Sequence, residues 1–208
     1  MDQSIWVDAF RRVIERGKHG SLEWALPEPW IHAELFAVLK ARAEQTGWSP
    51  FRIEVPYFTY SPVKAVKGQR YGIKWADLCL INQEATEWCW FEFKVRHCGK
   101  AARENIASRS ARDAFKKDVV GLLGMDIQKT ASIWSRPPSY WIKDYLEEKV
   151  DGFRGSSNHF VAAYLQIGGS LNSSEWTSDE LKRSISKWAK ARGIDRTPEF
   201  RFGMRPRD

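Results

Sequence analysis

The sequence predicts an α/β domain with a mixed central β-sheet flanked by helices. Three observations predict it. Stretches with helical apolar spacing alternate with short apolar strands along the 208 residues, the pattern expected of a sheet covered by helices. The run HFVAAYLQIG, 159–168, is almost continuously apolar, as in a strand buried on both faces. Apolar residues make up 43% of the chain, enough for a real core in one domain of this length.

The elements follow in order. Residues 4–16 read as a helix with Ile5, Phe10, Val13 and Ile14 on one face and Gly17 as its stop. EPWIHAELFAVLKARAEQTG is a second helix, with Pro29 near its first turn, Gly47 after its end and an apolar stripe of Ile31, Leu35, Val38 and Leu39. FRIEVPYF, 51–58, reads as a strand, followed by the polar, lysine-bearing loop SPVKAVKGQR. Two more strands, 74–81 and 88–96, flank the polar NQEATE and form a hairpin. A helix spans 103–123, with Phe115, Val119 and Leu122 inward. The stretch 132–158, with adjacent prolines, reads as irregular apart from a short helix around 139–149. After the 159–168 strand, Thr177 and Glu180 make a capping box for a helix facing Leu181, Ile185 and Trp188 inward. Phe200 and Phe202 among arginines suggest an edge strand. The domain limits expected are one unit, 1–208: a helical extension at 1–28, a core of 29–124 and 158–208, and an insertion at 125–157.

Composition narrows the function. The formal charge of +7 favours a polyanionic partner such as nucleic acid. Cys79, Cys89 and Cys98 are odd in number and lack C-x-x-C spacing, so buried thiols in a reducing cytoplasm are expected rather than a disulfide framework. The N-terminal segment carries Asp2, Asp8 and Arg11 and reads as neither signal peptide nor membrane span. Four histidines and three cysteines without zinc spacing, and the absence of a P-loop, a G-x-G-x-x-G or a G-x-S-x-G, turn attention from zinc, nucleotide cofactors and serine hydrolysis.

The chemistry concentrates in WADLCLINQEATEWCWFEFKVRH, 75–97. Residues two apart on a strand share a face, about 6.5–7 Å from each other. Glu92 and Lys94 therefore point one way, and Cys89, Phe91, Phe93 and Val95 the other. Asp77, on Cys79's face, lies near Glu92 across the hairpin. Two carboxyls so close repel, and a divalent cation relieves them. Mg²⁺ fits, being a hard ion that takes one or two carboxylates with waters and phosphate oxygens. The Phe93 backbone carbonyl is a further ligand candidate, and Lys94 stands beside the metal to orient the attacking water or to stabilise the transition state. The plain alternative is a cross-strand ion pair on a wet sheet face.

Asp77, a turn, and then Glu92-Phe93-Lys94 resemble the PD-(D/E)xK nuclease superfamily. The resemblance extends over about 170 residues of element order from the 29–46 helix onward. It implies a restriction-endonuclease-like three-layer core. Asp77 and Glu92 would bind Mg²⁺ (or Mn²⁺ in its place), and Lys94 would be catalytic. Glu34, on the upstream helix, stands where the family often adds a carboxylate; its other reading is a rim charge on an amphipathic helix. The family's proline before the aspartate is Ala76 here. The resemblance further implies a DNA endonuclease leaving 5′-phosphates, with a homodimer as one way to cut both strands. The rival is a nuclease-fold protein without catalysis that binds DNA or a protein partner.

From Lys94 to Lys117 there are eight Lys or Arg and two acids, a place for phosphate contacts. Lys116 and Lys117 lead the candidates, with Arg112, Lys100 and Lys67 behind them; Lys64 and Arg70 share the loop of Lys67. Asp113 and Asp118 read as ion-pair partners. His97 stands three residues past Lys94. Trp134, Tyr140 and Trp141 either stack on bases or cover the core.

Overall fold

A computed structural model describes residues 8–13, 15, 28–59, 72–97, 105–135, 149–167 and 178–205. Its elements run α1 (Glu28–Ala41), α2 (Ala43–Thr46), β1 (Trp48–Thr59), β2 (Gly72–Asn82), β3 (Glu87–His97), α3 (Asn105–Leu123), α4 (Ile127–Ser135), α5 (Val150–Arg154), β4 (Ser157–Ile167), α6 (Ser178–Lys190) and β5 (Glu199–Arg205). The strands form one mixed sheet in the order β1-β2-β3-β4-β5. β1, β2 and β3 pair antiparallel; β4 and β5 join parallel. The α/β class with a mixed, helix-flanked sheet is as the sequence predicts.

Each face of the sheet carries its own core. On one, Ile31, Leu35, Val38 and Leu39 of α1, with Phe10 and Val13 of the helical residues 8–13, pack on Leu78, Leu80, Cys89, Phe91 and Phe93. On the other, α3, α4, α5 and α6 pack on Val55, Tyr57, Cys79, Trp88 and Trp90. Asp8 pairs with Arg42, tying residues 8–13 to the end of α1. Gly47 ends α2 at φ 72°, its N–H donating to the Ala43 carbonyl at 2.9 Å. Only a residue without Cβ adopts that conformation at no steric cost. At the hairpin, the Glu87 amide donates to Asn82 Oδ1 at 2.9 Å, and Ala85 takes a positive φ of 56°.

The stretch expected to be irregular is helical at 132–135 and 150–154 and enters β4 at Ser157. α4 places Trp134 fully buried, 4.6 Å centroid to centroid from Phe153 of α5, and the Trp134 indole donates to the Pro56 carbonyl at 2.9 Å. Trp134 is therefore a core residue, which decides between its two readings. α4 also covers the open edge of β1: the Phe58 amide donates to Thr130 Oγ1 at 3.0 Å and its carbonyl accepts from Asp126 at 2.9 Å. Backbone groups on an edge strand otherwise invite pairing with another chain. The short helix expected around 139–149 falls largely outside the described residues, as do Thr177 of the capping box, Tyr140 and Trp141.

Candidate functional site

β1 and β2 change parity together, and the site lies where they do. Val55 and Ala76 are register partners facing the α3 side; Ile53 and Leu78, two residues away, are partners facing the α1 side. In a regular strand residues two apart share a face. The reversal falls on the intervening pair, Glu54 and Asp77, and Glu54 takes a left-handed φ of 54° there. Non-glycine residues pay for that conformation, and irregularities of this kind re-aim a side chain. The regular alternation that would put Asp77 on the face of Cys79 and Ile81 is broken between Ala76 and Leu78.

Asp77 instead reaches sideways within the sheet. The β2–β3 ladder ends at Leu78 opposite Phe91. Just past it, the Phe93 amide donates to Asp77 Oδ2 at 2.6 Å. The carboxylate thus substitutes for a strand carbonyl where the two strands part. Amide and carbonyl of one strand residue point to the same edge, so the Phe93 carbonyl also faces this gap.

Glu92, the next residue position beyond Phe91, faces the α3 side and is 5% exposed. Burial pushes its carboxyl well above the ordinary 4.5, and the charges of Asp77 and Asp118 push it further. The Lys74 ammonium and the Tyr57 hydroxyl, which donates to Glu92 Oε1 at 3.4 Å, act in the opposite direction. Tyr57 is held protonated by its own burial and by Glu92. Lys94 shares Glu92's face, half-buried, in register with Tyr164 of β4.

Asp118 and Lys74 were not singled out together by the sequence, and Tyr57 was not singled out at all. Asp118 does turn out to be a pair partner: Lys74 Nζ lies 3.3 Å from its Oδ1 and 3.4 Å from the Lys117 carbonyl. Lys74 and Tyr57 are cross-strand neighbours. The available signal was a lysine and a tyrosine on the strands flanking the acids; what it lacked was the register that aligns them.

The remaining candidates separate. Glu34 is half-buried on α1, which covers the face opposite the one Glu92 looks onto. Lys116 is buried, pairs with Asp113 at 2.9 Å and sits 4.9 Å over the Trp188 ring, so its ammonium is committed inside the protein and the expectation of a phosphate contact there is corrected. Lys117 is exposed on α3. The side chains of Arg112 and His97, and Lys64, Lys67, Arg70, Cys98 and Lys100 altogether, lie outside the described residues. Cys79 and Cys89 are buried thiols outside any disulfide.

Among the described residues no three His, Cys, Asp or Glu side chains come together as a metal cage. Asp77 and Glu92 are the carboxyls that could hold a cation such as Mg²⁺, which fills most of its octahedron with water and substrate oxygens. Burial first, and the charges of Asp77 and Asp118 after it, raise the Glu92 carboxyl.

Comparison with protein-family models, with curated proteins and with solved structures finds no match. Among the described residues no helix is long and apolar enough to cross a membrane.

Proposed function

We propose that this protein is a Mg²⁺-dependent phosphodiester hydrolase acting on nucleic acid, a DNA endonuclease of the PD-(D/E)xK kind. One observation carries the reading: Asp77 accepts from the Phe93 amide where β2 and β3 part, its charge acts on the buried Glu92 next door, and Lys94 follows Glu92 on the same face. A divalent cation supplies Lewis-acid polarisation and a more acidic bound water. Asp77, Glu92 and the Phe93 carbonyl would hold it; Mn²⁺ would serve equally. Glu34, on the opposite face of the sheet from Glu92, is left out of this ligand set. Lys94 would orient the attacking water and offset charge developing on the phosphate oxygens. The basic balance of the chain, +7, favours a nucleic-acid substrate. A duplex cut on both strands calls for two such sites, hence a homodimer.

The test is plasmid cleavage with Mg²⁺ by the wild-type protein and by Lys94→Ala. Cleavage by the first and its loss in the second are expected, with Mn²⁺ affinity retained by calorimetry. Undiminished cleavage in the variant removes Lys94 from the mechanism.

A second reading is a nuclease-fold protein that binds DNA or a protein partner without catalysis. The bond already made between Asp77 and the Phe93 amide favours it, because that carboxylate serves the sheet as it stands. No Mn²⁺ uptake and no cleavage of DNA or RNA would decide for it.

A further inference from the structure

We infer that Lys74 is a phosphate-binding residue of this site, held back from its ligand by Asp118. The inference rests on the nucleic-acid reading above and adds a residue to it.

Lys74 leaves β2 on the same side of the sheet as Glu92 and lies across α3. It can do so because residue 121 is glycine. A Cβ there would stand 2.8 Å from Lys74 Nζ and 3.0 Å from its Cδ. The ammonium ends beside Asp118, with side chains 33% and 51% exposed respectively. It is therefore neither sealed in the core, as Lys116 is, nor free on the surface. The pair borders the gap that holds Asp77 and Glu92, and Glu92 registers both of its charges.

Two acids face this ammonium: Asp118 in contact and Glu92 behind it. A half-exposed ion pair is held weakly. A phosphate diester arriving from the α3 side offers a charge-assisted acceptor of its own, and the counterions released from the polyanion favour the exchange. Lys74 then exchanges Asp118 for the phosphate by a rotation of its own side chain. The same charge works against a cation in the gap, since like charges repel. Lys74 is thus expected to help one ligand and hinder the other.

Those opposite signs are the test. Binding of a fluorescein-labelled DNA duplex is measured by anisotropy in EDTA over a salt series, and Mn²⁺ binding by calorimetry without DNA. For Lys74→Met, duplex affinity is expected to fall roughly tenfold and the log–log salt slope by about one, as for one lost phosphate contact. Mn²⁺ affinity should hold or rise. Lys74→Arg should keep duplex affinity. Asp118→Asn, which releases the lysine, should raise duplex affinity in the wild-type background and much less in the Lys74→Met background. That variant keeps the inference testable if Lys74→Met folds poorly, because an Asp118→Asn protein with unchanged duplex affinity overturns it. Unchanged duplex affinity and slope in Lys74→Met overturn it too. So does a parallel loss of duplex and Mn²⁺ affinity, which would mark a structural role. A wild-type protein that binds the duplex but takes up no Mn²⁺ and cleaves nothing overturns the hydrolase reading and leaves this inference standing.

Discussion

Glu92 is disfavoured as an isolated charge: it is buried and faces two other acids, against the Lys74 ammonium and one long hydrogen bond from Tyr57. The sign of its effect on stability follows. Its folded-state affinity for a proton exceeds that of the unfolded chain, so the folded protein binds more protons between the ordinary value near 4.5 and the raised one. Stability must therefore fall as pH rises through that window. Thermal melts in EDTA should show Tm declining from pH 5 upward more steeply than in Glu92→Gln. The variant should be the more stable at pH 8. Equal pH profiles would mean that Glu92 is not buried as described. The sequence made Glu92, Asp77 and Lys94 legible because charges inside apolar strands stand out against their neighbours. Lys116 misled for the opposite reason. It sits in a basic run, and its cover comes from Trp188, far along the chain, which local spacing does not reveal.

Among the elements, the strands were legible and their irregularity was not. Alternation identifies β1 and β2, yet the paired reversal at Glu54 and Asp77 leaves no mark in composition, because neither residue is glycine or proline. α4 escaped for another reason: prolines and polar residues after it gave the whole stretch a loop-like appearance, although Trp134 lies at its centre of burial. Trp134→Ala should cost about 3–5 kcal/mol by urea unfolding, from a lost aromatic core residue and an unsatisfied Pro56 carbonyl. A cost near zero would detach α4 from the core. Gly121→Ala tests a different balance. Alanine favours a helix by about 1 kcal/mol over glycine, but here its methyl displaces only the flexible end of Lys74. Stability should hold or rise slightly while duplex binding weakens. A large loss of stability would show that backbone, not Lys74, is being pushed.

For the molecule as a whole, the order of helices and strands predicted correctly that a mixed sheet is covered on both sides, since apolar periodicity survives averaging over a whole element. The stacking of five strands and the convergence of Asp118, Lys74 and Tyr57 on Glu92 depend on contacts far apart in sequence, which periodicity does not encode. A cation at the site should stabilise the entire domain, by about 2.7 kcal/mol at a hundredfold excess over Kd. The gain should be larger at pH 8 than at pH 6, because protons compete for Glu92. Equal gains at both pH values, or none, would place the cation elsewhere.

The bond from Phe93 to Asp77 gives the protein an internal indicator. An amide proton donating to a carboxylate over 2.6 Å resonates far downfield, and any ion that draws electron density from that oxygen must move the signal upfield. Labelling phenylalanine with ¹⁵N alone would let one peak be followed through a titration, reading occupancy of the gap without substrate and without turnover.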